Sequence, residues 1–560
     1  MNSCDLILRM LAKAGVTEVF GIPGDAINAL VEAIRRQDSL RFIQVRHEES
    51  GAFAASAQAK LGRVPGVCVG TAGPGAVHLL NGLYDASKDG APVVAITGQV
   101  PTFQLGTSSH QEIDLNHLFD DVCVFNEVVD SPGQTREVMG EALRTAVERG
   151  GVAHVNLPED VATATVDGSV AVDPLPIAPS TVVPAEADLD RAAGLLKSAM
   201  HPAILAGVGC RDAVGVLVEV AKRLGAPIIQ SLRAKDLLPD DHPWSAGGLG
   251  LLGGRPAVEA MNRADVLLMA GTDFPYTEFY PDGARVVQID VDAGHIGRRV
   301  PVEAPLVGHA RPTLEALLDR LPERTHKAPA EDVGLEVRLW REWMGRQEKD
   351  RDVPIKPQAL ARRVGELAPD GTIYCCDTGA VTAWCARHLP VRDGQRFTLS
   401  ANLASMAFAL PGAIGAQIAW PDRPVVALCG DGGLSMLLSE FLTAVKYALP
   451  ITVVVFNNGK LGLIEVEQQV SGYPAFQTEL PPLDYGAFAR LCGGEGERVT
   501  THDEMDDALA RAFASDSPCI VDVAIDPDEL LFPPRVDVKE AWGFGLSKLR
   551  TLFDRLTGSS

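Results

Sequence analysis

VVALCGDGGLSMLLSEFLTAVKYALPITVVVFNN, residues 425–458, carries a complete structural unit in its residue order. The apolar run VVALC has the length and β-branched content of a buried strand. Gly430-Asp431-Gly432-Gly433 makes a turn, an amphipathic helix begins near Leu434, and Pro450 opens a second apolar strand, ITVVVF. Two buried strands joined by a helix predict a parallel β-α-β crossover. Glycines at such a turn let the backbone approach a phosphate, and the helix N-terminus supplies N–H donors. Asp431 is out of place there, because its charge repels a bare phosphate. A hard cation between the two removes the conflict, since Mg²⁺ takes oxygen ligands and shares them with phosphates. The right-handed crossover brings Asn457-Asn458 beside Asp431 as a second source of oxygen donors. Taken singly, Asp431 reads as a helix N-cap and Asn458 as a turn residue. Together, on consecutive strand ends, they indicate a Mg²⁺–diphosphate site. The chain has no G-x-x-x-x-G-K-[ST], so a nucleoside triphosphate is not the natural ligand.

The pattern occurs twice more, as VCVGTAGPGAVHLLNGLYDASKDGAPVVAITGQ from Val67 and AILAGVGCRDAVGVLVEVAKRLGAPIIQSL from Ala203. The glycine-to-proline spacing is 19 residues from Gly73 to Pro92, and 20 from Gly207 to Pro227 and from Gly430 to Pro450. Strands alternating with helices predict an α/β protein of three consecutive doubly wound parallel-sheet domains. At roughly 150 residues per domain, the length allows three or four. The expected spans are 1–174, 188–322 and 355–534, followed by a tail, 535–560. Proline-rich residues 174–187 read as an extended linker. Polar residues 322–335 read as the end of the second unit, and VKEAWGFGLSKLRTLFDRL in the tail as a short helix. Ligands are expected at the carboxyl ends of the strands.

Composition narrows the function. Fifty basic residues against 73 acidic ones, in a chain of 560, give a net charge of −23, which argues against general nucleic-acid binding. No run reaches the ~20 apolar residues of a membrane helix, and the N-terminus lacks a signal-peptide pattern. Ten cysteines contain no C-x-x-C pair. Adjacent Cys375 and Cys376 read as buried thiols. The expectation is a reduced, soluble, cytoplasmic protein.

G-D-G followed at this distance by N-N resembles the thiamine-diphosphate signature, and the resemblance extends over nearly the whole chain. Its other residues are Arg46-His47-Glu48-Glu49, Gly73-Pro74-Gly75, His78-Leu79-Leu80-Asn81-Gly82, Phe274-Pro275-Tyr276 and Gln288-Ile289-Asp290. The chain is most similar to the flavin-containing pyruvate oxidases and pyruvate:quinone dehydrogenases, in the family that includes acetolactate synthase. The three domains then become pyrimidine-binding, FAD-binding and diphosphate-binding.

The resemblance implies Mg²⁺ held by the side chains of Asp431 and Asn458 and the carbonyl of Lys460. It implies a thiamine diphosphate site completed by Gly432, Gly433, Leu461, Gly462, Leu463, Ile464, Ala404 and Ser405, with Met406 as the apolar wedge that bends the cofactor. Glu48 would hydrogen-bond the aminopyrimidine ring and favour the tautomer that acts as an internal base. Glu48 would reach a cofactor held by another subunit, which implies a homodimer or homotetramer. His110, Gln111 and Glu467 match positions near the substrate. Leu249, Gly250, Leu251 and Leu252, with Thr272, Asp273, Phe274, Pro275, Tyr276 and Asp290, would line an FAD site, Asp290 near the ribose. A vestigial nucleotide domain is the alternative.

The implied reaction is oxidative decarboxylation of pyruvate or a similar 2-keto acid through a thiamine diphosphate enamine, FAD passing electrons to a quinone or other acceptor. Three residues or segments depart from that pattern. His110 replaces a phenylalanine, and the His-Gln pair is similar to catabolic acetolactate synthases. Leu463 replaces an aromatic residue. The chain ends without the amphipathic helix of membrane-activated relatives, so stable membrane insertion is not expected. An acetolactate synthase-like carboligase is the second reading. A catalytically silent assembly partner is the third, and the intact Glu48, Asp431 and Asn458 argue against it.

Overall fold

Among the described residues, eighteen strands form three six-stranded sheets, with helices between successive strands except from β11 to β12. The structure is a computed structural model that describes residues 1–62, 65–166, 180–322, 328–529 and 547. The first sheet contains β1 (Glu18–Gly21), β2 (Arg41–Gln44), β3 (Gly66–Gly70), β4 (Val93–Gln99), β5 (Cys123–Val128) and β6 (Val152–Pro158). The second contains β7 (Pro202–Ala206), β8 (Ile228–Gln230), β9 (Ser245–Gly248), β10 (Val266–Ala270), β11 (Arg285–Asp290) and β12 (Ala304–Val307). The third contains β13 (Ile373–Cys376), β14 (Arg396–Leu399), β15 (Val425–Gly430), β16 (Ile451–Asn457), β17 (Glu495–Val499) and β18 (Cys519–Ala524). Every pairing is parallel. The three α/β units expected from the repeated pattern are therefore present.

Strand order separates the units. The first and third sheets share one order, β2-β1-β3-β4-β6-β5 and β14-β13-β15-β16-β18-β17. Their order reverses between β1 and β3 and between β13 and β15, and crevices form at such reversals. The central sheet runs β12-β11-β10-β7-β8-β9. Counted within the sheet this is the 3-2-1-4-5-6 order of dinucleotide-binding folds, with its reversal between β7 and β10.

First and third units share a core. Helix Glu48–Leu61 is buried on nearly every side, because helix Ala409–Ala419 covers the face turned from its own sheet. Small residues permit the approach: a Cβ on Gly415 would stand 2.3 Å from the Ala54 carbonyl oxygen. One apolar cluster joins Cys68 and Val93 to Ile373, Val425 and Ile451. Polar bonds fix the register. Tyr447 Oη accepts from the Gln44 N–H at 2.8 Å and donates to the Phe42 carbonyl at 3.4 Å. Tyr447→Phe is expected to cost about 1 kcal/mol in urea unfolding, the net worth of a part-buried hydrogen bond.

All three units meet at Lys60. Its Nζ lies 2.8 Å from Asp85, 2.7 Å from Asp89 and 3.0 Å from the Leu399 carbonyl. Arg211 and Arg396 both grip Asp236, at 2.9 and 2.8 Å, and Arg211 also donates to the Lys60 carbonyl. Buried ions so paired set the relative placement of the units, since separating any pair strands a charge.

Residues 180–185, in the expected linker, carry no helix or strand; the stretch before them lies outside the described residues. The polar stretch 322–335 is not only a boundary: helix Ala328–Glu348 begins within it. That helix packs on Arg255–Arg263 and Pro357–Leu367 along one face, so a polar surface sequence suffices for it. The helix expected in the tail lies outside the described residues apart from Ser547. Cys375 and Cys376 are fully buried thiols. No helix among the described residues is long and apolar enough to cross a membrane.

Candidate active site

Gly430 of β15 registers with Phe456 of β16, so the turns after both strands open side by side. Asp431 begins the short helix Asp431–Met436 and is only 4% exposed. Its Oδ2 accepts from the Gly459 N–H at 2.9 Å, yet burial pushes its carboxyl up to about 6. Among the described residues no ion pair neutralises it, and a buried carboxylate so placed is a cation-seeking group. Asn457 is committed to the sheet, its amide donating to Asp522 at 2.9 Å. Asn458 instead lines a cavity of about 380 Å³ with Lys460, Leu463, Glu465 and Trp384. The Lys460 carbonyl accepts from the Gly462 N–H at 3.0 Å and retains a second lone pair. Carboxylate, amide oxygen and backbone carbonyl form a donor set suited to a hard divalent cation.

Met406 sits over this turn. A Cβ on Gly432 would meet Leu461 at 2.7 Å, Leu480 at 3.3 Å and Met406 at 3.4 Å. Met406 is carried by a bend in which Ala404 (φ 58°) and Ala407 (φ 68°) are left-handed, a costly conformation for alanine. Asp377, which follows β13, holds the bend: its Oδ1 accepts from the Phe408 N–H at 3.0 Å. Asp377 is fully buried, and burial pushes its carboxyl up to about 7. Its Oδ2 stands 1.9 Å from where a Cβ on Gly433 would be. Ser405 on the same bend accepts from the Asn81 amide at 3.0 Å, tying the bend to the first unit.

A second crevice opens where the first sheet reverses. Glu48 starts helix Glu48–Leu61 behind the N-cap His47, whose Nδ1 accepts from the Glu49 N–H at 3.3 Å. From the third unit, buried Glu440 accepts from the Arg46 and His47 N–H groups at 2.8 and 3.0 Å. Glu48 is 7% exposed, and its Oε2 lies 3.0 Å from His78 Nδ1. Gly75 makes room for it, since a Cβ there would stand 3.2 Å from Glu48 Oε1. Gln111 adopts φ 63° and packs against Gly73. His110 is exposed and close enough to help hold the Asp25 carboxyl below its usual range, behind that carboxylate's bonds to Thr71 and Ala26.

The central crevice is built from glycine backbone. A Cβ on Gly207 would meet the Gly271 carbonyl at 2.2 Å, and one on Gly209 would meet Gly271 Cα at 2.7 Å. These turns follow β7 and β10, the strands at the reversal. Asp290 ends β11, is buried, and faces His295 at 3.3 Å, burial raising its carboxyl. Thr272 is buried and Phe274 packs against Tyr276, while Pro275 and Tyr276 are exposed. Asp273 is committed to Arg298 and Arg299 at 3.1 and 2.9 Å. The G-x-G-x-x-G at 248–253 begins at the end of β9, an edge strand remote from the reversal. Helix Arg255–Arg263 opens only afterwards. Arg387 of the third unit donates to the carbonyls of Leu251 at 2.9 Å, Leu252 at 3.3 Å and Gly253 at 3.1 Å. The loop carrying Leu249 and Gly250 is thereby fastened to the third unit.

Family models match the three units in order. The thiamine pyrophosphate enzyme N-terminal TPP binding domain matches residues 1–118, the central domain 189–317, and the C-terminal TPP binding domain 377–523. The chain is a thiamine pyrophosphate enzyme. The protein YdaP of Bacillus subtilis (strain 168), named for thiamine pyrophosphate, is 41% identical over 98% of this chain and 95% of its own. A pyruvate oxidase of Lactiplantibacillus plantarum is 33% identical over 94% of this chain and 89% of its own. An acetolactate synthase large subunit of Corynebacterium glutamicum is 32% identical over 95% and 88%.

For a thiamine pyrophosphate enzyme, the geometry groups the expected residues in a definite way. Asp431, Gly432, Gly433, Asn458, Lys460, Leu461, Gly462, Leu463 and Met406 gather about one crevice. Glu48, His110 and Gln111 gather about another, at the end of a different sheet. On helix Gly462–Val470, Leu463 and Glu465 face the cavity, whereas Glu467 and Ile464 are exposed on other sides. Glu465 pairs with Lys460 at 3.1 Å, a role the motif did not signal. Asp377, Glu440 and Arg387 were also not anticipated. Only Asp377 had a sequence cue, an acidic residue directly after the buried strand IYCC.

Proposed function

We propose that this thiamine pyrophosphate enzyme decarboxylates pyruvate, or a similar 2-keto acid, oxidatively, with FAD in the central unit receiving the electrons and a quinone or other acceptor removing them. The observation that carries the flavin is the 3-2-1-4-5-6 order of the central sheet, with Gly207, Gly209 and Gly271 at its reversal and Asp290 at the next strand end. Arg387 fastens the adjacent loop to the third unit, which suits a group that exchanges electrons between the two. Residues 1–174, 188–322 and 355–534 would then serve the pyrimidine, the flavin and the diphosphate.

Thiamine diphosphate supplies a carbanion equivalent that adds to the keto carbon and accepts the electron pair left by CO₂. The chain's part is to hold and orient it. Asp431, Asn458 and the Lys460 carbonyl would hold Mg²⁺, and Met406, fixed by the Asp377 bend, would support the rings. Glu48 would give and take the proton that changes the pyrimidine tautomer. Gln111 is an amide beside that crevice, suited to bonding the substrate carboxylate or keto oxygen, and Glu467 would act from the exposed side of its helix. Glu48 and Asp431 lie at the ends of different sheets, which favours a site shared between two chains in a homodimer or homotetramer.

Glu48→Gln keeps the shape and removes the titratable group. Decarboxylation is expected to fall by about 10²-fold, within the range for losing a general acid–base group, while cofactor affinity by calorimetry changes little. Unchanged turnover would remove Glu48 from the chemistry. Carboligation is the second reading, favoured by exposed His110 beside Gln111, which offers a hydrogen-bond donor to a second carbonyl. Acetate as the product supports the first reading; acetolactate supports the second.

A further inference from the structure

We infer that Asp522 is a positioning residue for the metal donor set. From inside the third sheet it fixes the spacing of the Asp431 and Asn458 turns, and that spacing selects Mg²⁺ over the larger Ca²⁺. The inference deepens the proposed function and rests on Asp431 and Asn458 being the side chains that hold the metal. Asp522 lies in β18, Cys-Ile-Val-Asp-Val-Ala, where every other residue is apolar. Its side chain is fully buried. A carboxylate there loses solvation that an apolar residue would not, and buried ions are retained in some proteins for the single arrangement they impose.

The bonds show which arrangement this one imposes. Asp522 Oδ1 accepts from the Asn457 side-chain amide at 2.9 Å, and Asn457 directly precedes Asn458. Its Oδ2 accepts from the Tyr485 N–H at 3.0 Å and from Arg498 at 2.5 Å. Tyr485 is buried at the start of helix Tyr485–Leu491, and its Oη donates to the Asp431 carbonyl at 2.9 Å. One carboxylate therefore holds the end of β16 through Asn457 and the start of the Asp431 helix through Tyr485. The Gly459 N–H, bonded to Asp431 Oδ2, joins the same two turns on the crevice side. Arg498 stands directly across from Asp522 on the edge strand β17 and neutralises it, so Asp522 acts on the site by position and not by its field. Mg²⁺ demands near-ideal octahedral geometry, whereas Ca²⁺ accepts flexible sets of oxygens. Donors held at a fixed spacing favour the first, and donors that yield favour the second.

The test compares Tyr485→Phe, Asp522→Asn and Asp431→Ala. Apoprotein in a fixed excess of thiamine diphosphate is titrated calorimetrically with Mg²⁺ and, separately, with Ca²⁺. Urea unfolding without metal gives the stability of each variant. Tyr485→Phe removes a single oxygen and keeps the ring. It is expected to weaken Mg²⁺ binding by about 10-fold, as loss of a group that orients metal ligands does, and Ca²⁺ binding by no more than about threefold. Asp522→Asn keeps the shape but replaces an accepting oxygen with a donor, and is expected to lower the preference for Mg²⁺ at least as far. If Asp522→Asn does not fold, Tyr485→Phe decides alone. Unchanged Mg²⁺ affinity in Tyr485→Phe, a wild-type preference in folded Asp522→Asn, or equal losses for both cations, as general loosening would give, would each overturn the inference. Asp431→Ala binding both cations as tightly as wild type would instead overturn the reading of the metal site. A weak Asp431→Ala beside a Tyr485→Phe of wild-type preference would sink the positioning role alone.

Discussion

Asp431→Ala is expected to weaken joint binding of Mg²⁺ and thiamine diphosphate by about 10²–10³-fold, with the sheets still folded. The carboxylate is buried at a strand end, and burial already raises its carboxyl to about 6. Removing one partner of a buried ion pair typically costs about 3–5 kcal/mol, which corresponds to that loss of affinity. Asn458 and the Lys460 carbonyl remain but supply no negative charge. Calorimetric titration of the apoprotein with cofactor at fixed Mg²⁺ measures the effect. An unchanged dissociation constant would mean that Asp431 only caps its helix.

Gly433→Ala is expected to damage the same crevice by steric means. The added Cβ would stand 1.9 Å from Asp377 Oδ2 and 2.8 Å from its Cγ. Asp377 cannot retreat without releasing the Phe408 N–H, and with it the left-handed bend that carries Met406. Overpacking so rigid a site costs about 3 kcal/mol or more. Cofactor affinity should fall with stability, because the bend and the Gly432 turn face one another. Combining Gly433→Ala with Asp377→Ala should cost less than the two single changes added together, by about 1 kcal/mol or more. Urea unfolding of the four proteins measures this, and additive costs would show that the two residues do not press on each other.

Much of the fold was legible because each β-α-β unit encloses its signals within one stretch: an apolar strand, a glycine turn, an amphipathic helix and a proline. Asp431 and Asn458 were legible for the same reason, as consecutive strand ends separated by one crossover. Strand order was not, since β7 and β10 become neighbours only after two intervening strands, β8 and β9, and no local pattern marks the reversal. The G-x-G-x-x-G at 248–253 sits at an edge strand, while the glycines at the central crevice are Gly207, Gly209 and Gly271, spread over two turns. Asp377, Glu440 and Arg387 act across units, on backbone groups far away in sequence, and a charged residue's distant partner leaves no periodicity to read. Helix Ala328–Glu348 was obscured because it begins within 322–335, a stretch that reads as a polar boundary.

The most direct measurement is anaerobic. Purified protein loaded with thiamine diphosphate, Mg²⁺ and FAD is mixed with pyruvate, the flavin absorption band is followed, and acetate, acetolactate and acetoin are assayed. The oxidative account predicts bleaching of the flavin with matching formation of acetate. A flavin that stays oxidised while acetolactate or acetoin accumulates would contradict it, and would assign the chemistry to carboligation beside His110 and Gln111.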